Sequence, residues 1–491
     1  MPRLKSLSLA SVAALSLSLG GCMGAGGEIP SASTPITDSE AAQGAEYHPQ
    51  LLQEFGGAMS GSQANYVVGV GQKIAVQSGL GNTQSDFKVT LLNSSVNNAF
   101  AIPGGYVYTT RQLVTLMNNE AELAGVLGHE VGHVAARHSQ RRQAAAQRNS
   151  ILGAVGAILS GVLLGDSSIG NTLSRGFLQG SQLLTLKFSR SQETEADELG
   201  IRYLNSAGYD PRAMGTVLQS LAAQNALDAQ LQGRDNATVP EWASTHPNSA
   251  TRVQTALAKA GPGGGMTNRD TFLTRIDGLL YGDDPEQGVI EGSQFIHPKL
   301  GFAFTAPSGF YMVNGTRAVS INGQSGQAQM STGPYNGNLD SYVRNVFTAL
   351  GGENSNLAPS SIDRTSVNGL PAAYGAARVN SNGNQVDVVV FAYQFSSNQA
   401  FHFATITKAG GASVFNPMFN SMRRISSSEA NAVVPRRIDV VTVARGDTVA
   451  GLARRMAYDT GQVERFRVLN GMSSTDQLQA GQKVKLVVRA R

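Results

Sequence analysis

The pentapeptide His129-Glu130-Val131-Gly132-His133 constrains this chain more than any other stretch. It lies in a run, Asn119 to about Gln147, with Asn119 as an N-cap candidate, Glu120 and Glu122 in the first turn and Arg137, Arg141 and Arg142 towards the end. That charge order suits a helix dipole, so the run is read as a helix. On a helix the i, i+4 spacing puts both imidazoles on one face, about one turn apart, where they can hold one metal ion. Glu130 then lies next to the first ligand, angled at a water on the metal rather than at the metal, and becomes the candidate general base. A zinc ion in such a site lowers the pKa of water from about 15.7 towards about 7, and a carboxylate can take the proton as hydroxide attacks a peptide carbonyl.

Chance matches to H-E-x-x-H are common, so a third ligand decides. The metzincin continuation is excluded, because Ala136 stands where it needs glycine and Ser139 where it needs its last histidine. His138, five residues after His133, turns away from the ligand face; it is excluded as a ligand and expected at the surface or behind the ligands. About 60 residues on, Ser189-Arg190-Ser191-Gln192-Glu193-Thr194-Glu195-Ala196-Asp197 supplies a second i, i+4 pair, Glu193 and Asp197. One can ligate while the other orients. A ligating imidazole donates its free N–H to an acceptor such as a carboxylate, and Asp197 is placed for that part. Glu195 and Glu198 point elsewhere on the helical wheel.

The chain has 491 residues, a formal net charge of +4 and one cysteine. Its length predicts about three folded units. The mild, scattered charge gives nucleic acid no support as a partner. Arg3 and Lys5 precede an apolar run from Leu7 to Leu19, which reads as a secretory signal. Leu19-Gly20-Gly21-Cys22 resembles a bacterial lipobox, which implies acylation of Cys22 and a membrane anchor without a spanning helix. Met23 after the cysteine implies sorting to the outer membrane. The run Ile151 to Leu164 is shorter than the roughly 20 residues a bilayer crossing needs and is read as a core helix, a flap over the cleft or a membrane-touching loop.

The expected organisation is multidomain: signal peptide 1–21, flexible tether 22–45, a mainly α-helical zincin-type domain with a small sheet over 46–262, an α/β or α+β unit over 286–430, and a small βααβ unit over 437–488. Folded structure is expected from about Tyr47, helices over Leu183 to Ser206 and Pro211 to Leu231, and a Pro/Gly hinge at 261–265.

Four separated motifs resemble metallopeptidase family forty-eight, the HtpX and CAAX prenyl endopeptidase group, and within it the BepA-like periplasmic branch. They are Asn98-Ala99-Phe100-Ala101 before the Pro103-Gly104-Gly105 turn, the H-E-x-x-H helix, the S-R-x-x-E-x-x-A-D run, and Ser244-Thr245-His246-Pro247 with Arg252. The resemblance implies one Zn²⁺ per chain held by His129, His133 and Glu193, catalysis by Glu130 and His246, support from Asp197 and Arg252, and a substrate cleft lined by Asn98 and Phe100. His246 is left with two functional readings, oxyanion stabilisation or occupation of the open metal position. The C-terminal unit is similar to a LysM module, through Arg445-Gly446-Asp447-Thr448, Leu469-Asn470-Gly471 and Leu478-Gln479-Ala480-Gly481, which implies peptidoglycan as a partner. Together these imply a lipid-anchored protease of misfolded or stalled envelope proteins on the periplasmic face of the outer membrane. The alternatives are a chaperone for outer-membrane proteins that cuts rarely and a hydrolase of peptidoglycan peptides.

Overall fold

The computed structural model describes residues 34–141, 188–231, 246, 250–351, 357–381 and 384–490. The expected signal, Cys22, the run Ile151 to Leu164, and Ser244, Thr245 and Pro247 lie outside the described residues.

Helix α1 is Asp38–Glu54, so residues 38–45 are helix rather than tether, and ordered chain begins well before Tyr47. The tether reading weighed only the scarcity of apolar residues; it missed a reciprocal cap in which Thr37 Oγ1 accepts from Glu40 N and Glu40 accepts from Thr37 N. Helix α2 (Ser62–Ala75) follows, then a small sheet of β1 (Lys88–Leu92), β2 (Ala99–Ile102) and β3 (Tyr106–Thr110). Its order is β1-β3-β2, with β1 parallel and β2 antiparallel to β3. Helix α3 is Arg111–Leu116, and helix α4, Glu120–Ala135, starts on Asn119, whose side chain accepts from Glu122 N. It stops at Ala135, short of the expected Gln147, because Arg137 sits at φ 50° in the left-handed region and turns the chain.

Helix α5 (Arg190–Ser206) starts seven residues later than read from the sequence, on a Ser189–Gln192 capping box. Helices α6 (Ala213–Leu231), α7 (Ala250–Ala260) and α8 (Arg269–Ile276) complete the helical layer. The crossing of α4 and α5 is set by two glycines. A Cβ on Gly132 would lie 3.1 Å from Ala196 O, and one on Gly200 3.2 Å from His129 N. Each is close enough that the backbone itself would have to give, so the glycines let the two helices meet.

Strand β4 (Leu280–Tyr281) leads into the middle unit. Its strands are β5 (Val289–Glu291), β6 (Gln294–His297), β7 (Phe302–Thr305), β8 (Tyr311–Asn314), β9 (Val319–Gly323), β10 (Gly326–Thr332), β11 (Ile362–Val367), β12 (Leu370–Ser381), β13 (Asn384–Ser396), β14 (Gln399–Lys408) and β15 (Arg423–Arg424), with helix α9 (Leu339–Gly351) between β10 and β11. They form a seven-stranded sheet, β11-β12-β13-β14-β10-β9-β8, and a four-stranded one, β15-β7-β6-β5. Every ladder in them is antiparallel, so of the two architectures left open by the sequence the unit is α+β. Val386, Val388 and Val390 of β13 pack beneath Val343 and Phe347 of α9, while Phe391 and Tyr393 face Phe302, Phe403 and Phe419 on the other side. A strand covered on both faces reads as a continuous apolar run.

The last unit is β16 (Arg436–Thr442), helices α10 (Val449–Ala453) and α11 (Gln462–Leu469), and β17 (Lys483–Arg489). It is not a separate bead. Strand β4 pairs with β16, making a sheet β17-β16-β4, and Phe466, Leu469, Val484 and Leu486 belong to the same core as Val126 and Leu127 of α4. The chain past 261–265 therefore returns to the helical domain before and after the middle unit.

Candidate metal centre and cleft

Helix α4 presents His129 and His133 one turn apart, and α5 brings Glu193 against them. His129 Nε2 lies 3.0 Å from His133 Nε2, and Glu193 reaches His133 Nε2 at 3.4 Å and His129 Nε2 at 3.6 Å. His246 points Nδ1 into the same space, 3.0 Å from Glu193 Oε1 and 3.2 Å from His129 Nε2. One donor atom from each of the four residues lies within 4.8 Å of all the others, and all four residues are buried. Three imidazoles and a carboxylate packed in a dry site form a donor set that fits a borderline-soft divalent cation.

The electrostatics favour ligation by His133 and Glu193 and favour the protonated form of His246. Burial, joined by the neighbouring His129 and His246, holds the His133 imidazole far below its usual value, against the pull of Glu193, and so keeps it neutral. Burial opposes ionisation of Glu193, but His246, His133 and His129 outweigh it and hold the carboxyl well below the carboxylate range. Burial likewise opposes protonation of His246, and the Glu130 and Glu193 charges override it and raise the imidazole.

Behind the cluster, the outer nitrogen of His129, Nδ1, meets Asp197 Oδ1 at 2.9 Å. Asp197 is gripped by Arg252, whose Nε donates at 2.6 Å to Oδ2 and Nη2 at 2.8 Å to Oδ1, while Nη1 reaches Glu193 Oε2 at 2.7 Å. Such two-pronged contacts fix direction as well as charge. They hold Asp197 below its usual value although burial alone pushes it up. Asp197 and Arg252 thus stand directly behind the donor set.

A cleft opens beside the donors, lined by Asn98, Phe100, Glu130, His133, Phe188 and His246, among others. Glu130 Oε1 is 3.6 Å from His246 Nε2. Asn98 is only 2% exposed, and its Nδ2 amide is a buried donor without a hydrogen-bond partner among the described residues. Phe100 stacks on Tyr108 at a centroid distance of 4.7 Å, forming an aromatic wall.

Three features were missed in the sequence. Phe188 stacks on the His133 ring at 3.9 Å; the only hint was its place just before the Ser189 cap. Glu40 and Arg137 form a buried ion pair at 3.3 Å along the cleft rim, joining α1 to the end of α4 across nearly a hundred residues with no motif to mark it. His138 is fully buried, with Nδ1 2.7 Å from His133 Nδ1. Of its two expected places, the surface is ruled out, and Glu195 does not point idly away: its Oε2 lies 3.2 Å from His138 Nε2.

Residues 62–260 match the family model described as Peptidase family M48, and residues 441–487 match the LysM domain model. The chain is 35% identical over 197 residues to the beta-barrel assembly-enhancing protease of Escherichia coli, across 40% of this chain and 38% of that protein. It is 32% identical to the protein of that name from Yersinia pestis, across 50% of each chain. The mitochondrial metalloendopeptidase OMA1 of Schizosaccharomyces pombe is 31% identical over 44% of this chain and 60% of its own length. The chain therefore spans between about two fifths and three fifths of these relatives.

Proposed function

The chain carries a metallopeptidase domain of family M48 and a LysM domain, and from that premise we propose that it is a zinc-dependent endopeptidase of the bacterial cell envelope, acting on misfolded or stalled periplasmic and outer-membrane proteins. The observation that carries the proposal is the convergence of His129, His133, Glu193 and His246 on one buried point beside a cleft. A zinc ion held there by His129, His133 and Glu193 would supply Lewis acidity to the scissile carbonyl and make water acidic at neutral pH.

The chain's own groups do the rest. Glu130, on the turn between the two histidines, takes the proton of the attacking water and passes it to the leaving amine. Asn98, which lines the cleft and whose buried Nδ2 has no partner among the described residues, hydrogen-bonds a carbonyl of the substrate backbone, and Phe100 packs against its side chains. Asp197 and Arg252 hold His129 and Glu193 in ligating orientation. His246, whose Nδ1 sits among the ligand atoms while its ring also lines the cleft, would offer a zinc ion a fourth donor.

Envelope substrates are supported by the name shared by the Escherichia coli and Yersinia pestis relatives. The LysM unit leaves Arg445 to Thr448 and Ser473 to Gln477 exposed, free to take an N-acetylglucosamine glycan. The signal and Cys22 support a lipid anchor at the outer membrane; among the described residues no helix is long and apolar enough to cross a membrane. The position of His246 also favours a second reading, a resting enzyme that holds unfolded chains and cuts rarely.

The test is zinc content by mass spectrometry on soluble protein lacking residues 1–22, with casein hydrolysis, for the wild type and Glu193→Gln. One zinc per chain, lost with hydrolysis in the variant, supports the proposal. Zinc without hydrolysis favours the second reading, and no zinc in the wild type refutes both.

A further inference from the structure

The two imidazoles of α4 face the donor cluster with Nε2, so each has Nδ1 to be satisfied from behind. Behind His129 stands a carboxylate, Asp197, at 2.9 Å. Behind His133, among the described residues, the atom 2.7 Å from its Nδ1 is instead Nδ1 of His138. His138 is fully buried, and its other nitrogen lies 3.2 Å from Glu195 Oε2, which is itself 2.9 Å from Arg141 Nη1.

On a regular helix a residue five positions past His133 points well away from it. Here α4 has ended at Ala135, and Arg137 at φ 50° re-aims the following residue at the ligand. This turn is held on several sides: Arg137 donates to Ala135 O at 3.1 Å and Thr34 O at 2.9 Å and pairs with Glu40. A strained backbone held this firmly is the means by which His138 reaches its place.

We propose that His138 is the positioning residue of His133, an imidazole doing for this ligand what Asp197 does for His129. This rests on the reading of the cluster as a zinc site. The protons form one consistent chain. If His133 ligates through Nε2, its Nδ1 carries hydrogen and donates to the lone pair on His138 Nδ1. His138 then carries hydrogen on Nε2 and donates to the Glu195 carboxylate, which Arg141 keeps ionised at the surface. Each donor finds an acceptor, and the tautomers of both rings are fixed by the carboxylate at the end.

The experiment compares wild type, His138→Ala, His138→Asn and Glu195→Gln in the chain lacking residues 1–22, reading zinc affinity by chelator competition and the visible bands of the cobalt-substituted proteins. His138→Ala is expected to weaken zinc by about 10–100-fold and shift the cobalt bands. His138→Asn keeps an oxygen where Nδ1 was and recovers most of the affinity, and Glu195→Gln costs only a few-fold. Unchanged affinity and bands in His138→Ala overturn the proposal. So does a His138→Asn protein as weak as the alanine variant with a native circular dichroism spectrum, since packing rather than the hydrogen bond would then matter. A wild type that binds no zinc sinks the zinc reading and this inference with it, whereas a zinc-binding wild type indifferent to His138 sinks only this inference.

Discussion

Helix α4 buries acidic groups towards both ends: Glu120 and Glu122 in its first turn, and Glu130 beside His129 and His133 further along. The two ends are held differently. At the C-terminal end, charged groups converge on one point and leave room for a cation between them. At the N-terminal end the carboxylates are already satisfied: Glu120 accepts from Tyr66 at 2.5 Å, Tyr209 at 2.7 Å and Asn268 at 2.9 Å, and Glu122 accepts from Asn118 N and Thr216 Oγ1. Lys485 of β17 is fully buried there; burial pushes its amine down to about 7 against the pull of Glu122, and its Nζ donates to Thr115 O at 2.8 Å and Met117 O at 2.6 Å. A site whose donors converge on one point beside a cleft suits a ligand, and one whose buried polar groups are satisfied from elsewhere in the chain holds two parts of the fold together.

The sharpest way to break this contrast is to remove one carboxylate from the first cluster. Glu130→Gln is expected to cut casein hydrolysis by about 10²–10⁴-fold while zinc content and melting temperature stay at wild-type values. A large loss of stability instead would mean that Glu130 is structural, like Glu122. The converse change is Lys485→Met, which leaves the Thr115 and Met117 carbonyls buried without their donor. It is expected to cost about 3 kcal/mol in chemical denaturation, with zinc affinity unchanged wherever the protein remains folded. A cost under about 1 kcal/mol would show that the LysM unit is a loosely attached module rather than part of the peptidase core.

The same contrast explains what the sequence could and could not reveal. His129, His133, Glu193 and Asp197 were legible as candidates because i, i+4 pairs share one face of a helix, and that spacing survives in one dimension. Asn98, Phe100, His246 and Arg252 lie in segments with no such periodicity and came only through the family resemblance. His138 was left between the surface and the space behind the ligands because a helical wheel assumes a helix, and nothing in the sequence announces that Arg137 leaves it. Nothing in the sequence marks Lys485 as buried, since its partners stand some 370 residues away. The βααβ pattern at the C-terminus was legible and its docking was not, because docking depends on which apolar positions find each other across the chain.

The middle unit offers a control for buried histidines without any ligand to bind. His402 lies between Tyr342, at 2.9 Å from its Nδ1, and Ser331, at 3.3 Å from its Nε2, and no acidic group is among the causes of its shift. Burial pushes it down to about 4. Between about pH 6.5 and that value the unfolded chain binds a proton that the folded unit refuses, so stability is full above pH 6.5 and falls as pH drops through the window. The limit is roughly 3 kcal/mol. Denaturation of wild type and His402→Gln at pH 7 and pH 4.5 checks it: the wild type is expected to lose more stability between the two, and equal losses would mean that His402 takes up its proton freely when folded.

The smallest expected effect lies behind the donor cluster. Asp197→Asn keeps an oxygen that can accept from His129 Nδ1 but removes the charge that Arg252 grips through two nitrogens. The direction of the imidazole is then preserved and its support weakened, so zinc affinity is expected to fall by about tenfold, towards the low end of the range for such supporting groups. Arg252 retains Glu193 as a partner at 2.7 Å, which is why the loss is smaller than that of an orphaned buried cation. Chelator competition measures it directly. A fall of a hundredfold or more would place the weight on charge rather than geometry, and His138, which carries no formal charge in its proposed state, would then be the weaker of the two supports.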